Sequence, residues 1–156
     1  MINAVFDTNI YLQATLSETG AAFACWQMVE NGDVRVFVTE AILAEIEDVL
    51  SRPKLRGKYS VLTDEKINEV LKSIRAHAVI IEKINQIYTF ERDPDDEVFI
   101  NLALTYEAEF LVSRDNDLLD LMTSYSDECK EFRQRFRPLK VITPMEFLQL
   151  LREQNA

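Results

Sequence analysis

The sequence predicts an α/β fold: a three-layer α/β/α sandwich around a central, mostly parallel sheet of about five strands. Three observations carry that expectation. Short apolar runs rich in Val, Ile and Phe alternate with segments whose apolar residues recur at helical spacing. A helix between successive strands makes a crossover connection, which produces parallel pairing. The length of 156 residues fits one domain with a real core, here 1–156, and 47% hydrophobic with 28% charged residues is ordinary globular composition.

The elements follow in order. The first strand is Asn3 to Phe6. A helix runs from Glu18 to Glu30, with Ala22, Phe23, Trp26 and Val29 at helical spacing, and Asn31-Gly32 ends it. The second strand is Val34 to Val38. Thr39 caps the next helix, which runs to Leu50 and stops before Pro53. A basic loop follows. Asp64 to Ala76 is helical, with Ile67, Val70, Leu71 and Ile74 on one face. The third strand is Ala78 to Ile81. Glu82 to Asp93 is a connection for which no periodicity selects a form. A helix from Pro94 to Tyr106, a strand from Phe110 to Val112 and a short helix from Asp117 to Met122 come next. The fifth strand is Lys140 to Ile142. Thr143 as N-cap, Pro144 at the first helical position and Glu146 as the return half of a capping box start the last helix.

Several chemistries are excluded or disfavoured. Three Gly residues leave no Gly-rich phosphate cradle, and neither Walker nor dinucleotide fingerprints are present. His77 is the only histidine, so a two-histidine acid–base ribonuclease mechanism is impossible. One His and two distant Cys do not make a zinc site of the usual type. Cys25 and Cys129 read as free thiols of a reducing cytoplasm. The strand-like start leaves no signal-peptide pattern, and no apolar stretch reaches the ~20 residues of a membrane span.

The net charge of −10 argues against nonspecific coating of nucleic acid. The cations are nevertheless clustered. Arg52, Lys54, Arg56 and Lys58 form one group and Lys130, Arg133, Arg135, Arg137 and Lys140 another, together nine of the seventeen Lys and Arg. Each group reads either as a solvated face or as a local positive patch.

Four acidic positions stand at or near strand-to-helix transitions: Asp7, Glu45, Asp96 and Asp115. In a parallel sheet, ligands bind outside the carboxyl ends of the strands. Carboxylates gathered there form a hard-oxygen site suited to Mg²⁺ or Mn²⁺. Each also has a plainer reading. Asp7-Thr8-Asn9 suits a turn or an N-cap, as does Asp115-Asn116-Asp117. Asp93-Pro94-Asp95-Asp96-Glu97 suits the first turn of a helix, although four like charges there repel one another unless a cation sits among them. On the helix after strand two, Glu45 and Glu47 fall on opposite borders of the apolar stripe, and periodicity does not choose between them.

Taken together, these segments carry a family signature. Val5-Phe6-Asp7-Thr8-Asn9 resembles the start of a PIN-domain nuclease. Thr39-Glu40-x-x-Leu43-x-Glu45-x-x-x-Val49-Leu50 resembles the second motif of that family and selects Glu45. Asp93-Pro94-Asp95-Asp96, followed by Ile100 and Ala103, resembles the third, with Asp96 the match. Leu111-Val112-Ser113-Arg114-Asp115-x-Asp117-Leu118-Leu119 resembles the fourth, with Asp115 the match. Val141-Ile142-Thr143-Pro144 also fits. Ser51-Arg52-Pro53-Lys54-Leu55 is similar to the branch of toxin components of bacterial toxin–antitoxin pairs.

The resemblance implies an endoribonuclease that cleaves single-stranded RNA by metal-activated water, leaving 5′-phosphate and 3′-hydroxyl ends. Asp7, Glu45, Asp96 and Asp115 would hold Mg²⁺ or Mn²⁺, with Asp117 either a further ligand or a support behind them. Thr8, Asn9 and Ser113 would orient water or a carboxylate from behind. A cognate antitoxin and a homodimer are implied as partners. Ser126 to Pro138 is longer than the family pattern; its Arg133, Arg135 and Arg137 beside Phe132 and Phe136 suit phosphate contacts and base stacking, and equally suit an exposed helical excursion whose two aromatics anchor it to the core. A non-catalytic module of the same fold, binding RNA or protein, is the alternative.

Overall fold

Five short strands build the centre: β1 (Ile2–Phe6), β2 (Val34–Thr39), β3 (Val79–Ile81), β4 (Phe110–Val112) and β5 (Lys140–Ile142). They lie in the order β3-β2-β1-β4-β5, and every pair is parallel. This is a computed structural model describing residues 1–154; the expected domain 1–156 includes two further positions that lie outside the described residues. The five-stranded parallel sheet flanked by helices is the α/β/α arrangement that the alternating pattern predicts.

The helices are α1 (Thr8–Leu16), α2 (Ala21–Glu30), α3 (Glu40–Leu50), α4 (Pro53–Lys58), α5 (Asp64–His77), α6 (Glu97–Thr105), α7 (Asn116–Thr123), α8 (Asp127–Arg135) and α9 (Pro144–Gln154). A 3₁₀ turn at Pro94–Asp96 precedes α6. Three of the sequence expectations are corrected. A helix that was not expected, α1, precedes the expected one: Asp7 caps it by accepting from the Ile10 amide, Ser17 to Gly20 separates it from α2, and α2 starts at Ala21 rather than Glu18. The β-branched and aromatic residues of α1 disguise it, since they lower helix propensity. The basic loop after Pro53 is the short helix α4, for which Pro53 supplies a first position that needs no amide partner. The helix expected from Pro94 to Tyr106 begins as the 3₁₀ turn and becomes α-helical only from Glu97.

Other signals hold as read. Thr39 caps α3 through the Ile42 amide. At α9, the Glu146 amide donates to Thr143 Oγ1 and the Thr143 amide donates to Glu146 Oε1, the reciprocal capping box. The core closes on both faces of the sheet. On one face Phe147 of α9 packs edge-on against Phe6 of β1 and Phe110 of β4, and Tyr11 links Phe6 to Trp26. On the other face α6 lies across β1, β2 and β4.

The connection from Glu82 to Asp93 has neither helix nor strand. Its backbone is held by a polar stripe on α6. Thr105 Oγ1 accepts from the Asn85 amide, Asn101 Oδ1 from Ile87 and Tyr88, and Glu97 Oε1 from Phe90 at 2.7 Å. These acceptors are four residues apart, so they form one line along the helix. They satisfy backbone donors that would otherwise be paired in a sheet.

Candidate active site

Strand order reverses at β1, which has β2 on one side and β4 on the other. The crevice of an open α/β sheet lies at such a reversal, beyond the carboxyl ends of the strands. Asp7 leaves β1 there and Ser113 leaves β4, with the Asp7 amide donating to the Val112 carbonyl.

Asp7 is 3% exposed. Its Oδ1 accepts from the Ile10 amide, and its Oδ2 accepts from the Ser113 hydroxyl. Ser113 Oγ in turn accepts from the Asp115 amide at 2.9 Å. One buried hydroxyl therefore ties the Asp7 carboxylate to the backbone that carries Asp115. Burial pushes the Asp7 carboxyl up to about 6, against the lowering effect of the Ser113 and Ile10 bonds.

The second wall comes from the 3₁₀ turn. Carboxylate oxygens of Asp93, Asp96 and Asp115 lie within 4.8 Å of one another. Asp96 is half-buried, and its Oδ2 is out of contact with solvent and accepts no hydrogen bond. Burial first, then the Asp115 and Asp93 carboxyls, push Asp96 up to about 9. Three crowded carboxylates with an orphaned oxygen among them fit a hard divalent cation, which supplies the missing partner and the missing positive charge.

Glu45 and Asp96 line one cleft with Asp7, Thr8 and Asn9, around a cavity of about 530 Å³. Glu47 of the same helix does not line it; it lies where its charge is felt by Arg75 of α5. Thr8 is buried with its hydroxyl unpartnered, and Asn9 is exposed at the cleft. Asp117 is engaged elsewhere, accepting from Arg92 Nε at 2.8 Å. The same guanidinium reaches Asp120 at 2.6 Å, so Arg92 fastens the segment leading to Asp93 onto α7.

Asp93 enters the cluster without having been singled out in the sequence. Its signal was present in the Asp-Pro-Asp-Asp run, but spacing alone did not say which of these acids turns inward. The arginines after Ser126 are not brought to the cleft. Arg133 donates to the Leu121 carbonyl at 2.8 Å. Arg135 lies over the Phe136 ring and lines a hollow with Glu107 and Glu109 at the amino-terminal edge of the sheet, away from the carboxylates. Arg137 is exposed beyond the end of α8. Instead, cations of the first basic group, Arg52, Lys54 and Lys58, line the cleft that holds Asp7, Glu45 and Asp96.

Among the described residues, no helix is long and apolar enough to cross a membrane. A family model described as the PIN domain matches residues 3–117, from β1 into the first turn of α7, which spans every carboxylate of the cleft. No curated protein and no solved structure matches the chain. The chain therefore belongs to the PIN-domain family, whose members are in general nucleases acting on nucleic acid.

Proposed function

We propose that this PIN domain is an endoribonuclease that hydrolyses single-stranded RNA with Mg²⁺ or Mn²⁺, leaving 5′-phosphate and 3′-hydroxyl ends. The observation that carries this reading is the gathering of Asp93, Asp96 and Asp115 within 4.8 Å, beside a cleft that also holds Asp7 and Glu45. Asp96, Asp115 and Asp93 would hold the ion, with Asp7 and Glu45 contributing carboxylates from the same cleft. When bound, the ion supplies electrophilic stabilisation of the phosphodiester and makes water a competent nucleophile near neutral pH.

The chain itself supplies position. Ser113 and the Ile10 amide hold both oxygens of Asp7, so this carboxylate keeps one orientation in the ground and transition states. Ser113 also fixes the Asp115 backbone, which couples the ends of β1 and β4. Asn9 stands at the cleft with its amide available to orient water or a phosphate oxygen. Asp117, paired with Arg92, acts in this reading by holding α7 against the loop that carries Asp93 and Asp96.

The biological role we propose is that of the toxin of a toxin–antitoxin pair, acting as a homodimer in the cytoplasm and neutralised by a cognate protein. Its support is the Ser51-Arg52-Pro53-Lys54-Leu55 stretch, which leads into α4.

The test is cleavage of mixed single-stranded RNAs and matched DNAs in Mg²⁺, Mn²⁺ or EDTA, alongside Asp7→Asn. RNA should be cut with either ion, left intact in EDTA, and spared by the variant. Cleavage that persists in EDTA, or an equally active variant, would overturn the reading. Metal and RNA binding without cleavage would make the chain a non-catalytic module of this fold.

A further inference from the structure

We propose that α4 is the element that grips the substrate strand, with Lys54 and Lys58 contacting successive backbone phosphates and Arg52 guiding the strand into the cleft. This inference rests on the nuclease reading and adds to it the path of the RNA.

The geometry of α4 divides its cations into two kinds. Lys54 and Lys58 are four residues apart, so they share one face of the helix; Arg56 lies roughly 160–200° away from them at 3.6 residues per turn. The contacts agree with that division. Lys54, Lys58 and Arg52 line the cleft with Asp7, Glu45 and Asp96. Arg56 turns away, donating from Nε to the Leu62 carbonyl at 2.9 Å and pairing with Asp64 at 2.9 Å, where it staples the connection between α4 and α5. Among the described residues neither Lys54 nor Lys58 pairs with a carboxylate. Among the described residues Arg52 pairs only with Asp48, and both side chains are exposed, so a phosphate competes for that guanidinium at little cost.

Cations and carboxylates lining one cleft are the combination a phosphodiester needs. The acids, with their divalent ion, take the reacting phosphate; the lysines take its neighbours and offset the repulsion between polyanion and acidic protein. Leu12, Val49 and Leu55 fill the floor between them, and the cleft has no exposed aromatic ring among its lining residues. Grip through phosphate without a stacking platform gives affinity with little preference among bases. Of the α8 arginines, Arg133 is bonded to the Leu121 carbonyl and Arg135 is laid on the Phe136 ring at the amino-terminal edge of the sheet.

Binding is measured by fluorescence anisotropy with a short labelled single-stranded RNA in Mn²⁺, using Asp7→Asn as the common background so that cleavage does not interfere. Adding Lys54→Ala and Lys58→Ala should weaken affinity about tenfold or more near 0.1 M salt. It should also reduce the slope of log affinity against log salt by about 1.4, two contacts at ~0.7 each. Adding Arg56→Ala should leave affinity and slope unchanged while lowering the melting temperature. With Asp7 intact, the two lysine changes should raise KM for RNA and leave kcat nearly as it was. An unchanged slope in the lysine variant, or a slope reduced instead by Arg135→Ala with Arg137→Ala, would overturn the α4 path and leave the nuclease reading standing. If Asp7→Asn alone binds no RNA and the native chain cleaves none, both fall together.

Discussion

The two walls of the acidic cleft are built in different ways. Asp7 and Asp115 hang from the ends of β1 and β4, where a parallel backbone ladder and the Ser113 hydroxyl fix them. Asp93 and Asp96 hang from an irregular segment held by side chains: the α6 stripe before it and the Arg92 pairs with Asp117 and Asp120 beside it. The strand-borne wall satisfies its own carboxylate. The loop-borne wall leaves an Asp96 oxygen orphaned and crowds Asp93 and Asp96 against Asp115. The contrast teaches that the scaffold fixes one half of such a site before any ion arrives, whereas the other half depends on the ion.

Changes to the walls test that contrast. The largest effect is expected from Asp96→Asn, which removes the orphaned oxygen's charge from the loop-borne wall. RNA cleavage should fall by at least ~100-fold. The rise in melting temperature on adding Mn²⁺ should largely vanish, because an ion that binds only the folded state stabilises it by mass action. Equal Mn²⁺ shifts in variant and native protein would show that Asp96 does not hold the ion. Glu45→Gln comes next, with a loss of about tenfold to 100-fold, while Glu47→Gln should stay within about twofold, since Glu47 does not line the cleft. The reverse order would move the glutamate of the site to the far border of α3.

Arg92→Ala should loosen the loop-borne wall alone. Mn²⁺ affinity, read by calorimetry, should drop about tenfold, as for other partners that orient a metal site. Arg92→Lys should recover part of it. The melting temperature without metal should move little, because the pairs are partly exposed. An undiminished Mn²⁺ affinity would show that the loop holds its acids without the clamp.

The smallest effect is one of pH. Folding raises Asp96 from the ordinary carboxylate range to about 9, with burial the main cause. The folded state therefore binds the proton more tightly than the unfolded chain does. The stability this gives is fully present below pH 4 and is lost as pH rises through the folded value. In EDTA, Asp96→Asn should melt close to native at pH 5 and above it at pH 8 to 9, by only a few degrees because solvent screens this half-exposed carboxyl. With Mn²⁺ at pH 8 the order should invert. A gap that ignores pH would mean that burial and the neighbouring acids do not hold the proton on Asp96.

The same contrast explains what was legible in the sequence. Phe6-Asp7 and Val112-Ser113 are a strand running into a turn, and such pairs announce their place because side chains at a parallel strand's end have one crevice to enter. Glu45 was legible only as one of two. The loop-borne acids were visible as a charge run, but their order within the cluster depends on contacts across the chain that no local pattern encodes. The helix α1 was concealed by Thr, Ile and Tyr, which are held helical by burial against the core rather than by propensity. The two basic groups have similar composition. Their places differ because α4 packs beside α3 along the cleft that Glu45 and Val49 line, whereas α8 ends where β5 begins, at the amino edge. That is a property of topology, and charge spacing does not record it.

The stripe of Thr105, Asn101 and Glu97 has a consequence for how this protein can vary. The acceptors recur every ~6 Å along α6, four residues at 1.5 Å each. The amides they take belong to Asn85, Ile87 with Tyr88, and Phe90, running the opposite way in extended chain at ~3.3 Å per residue. About 12 Å of helix thus faces about 16 Å of extended chain, the excess being taken up where Asn101 accepts from two successive amides, and the loop is gauged against the helix as a strand is gauged against its neighbour. Connections elsewhere on a surface accept added or missing residues readily. Here a single inserted residue between Asn85 and Phe90 would present carbonyls where α6 needs amides, and would slide Asp93 out of reach of Asp96 and Asp115. The length of this connection is as much a determinant of the site as the identity of the acids it delivers.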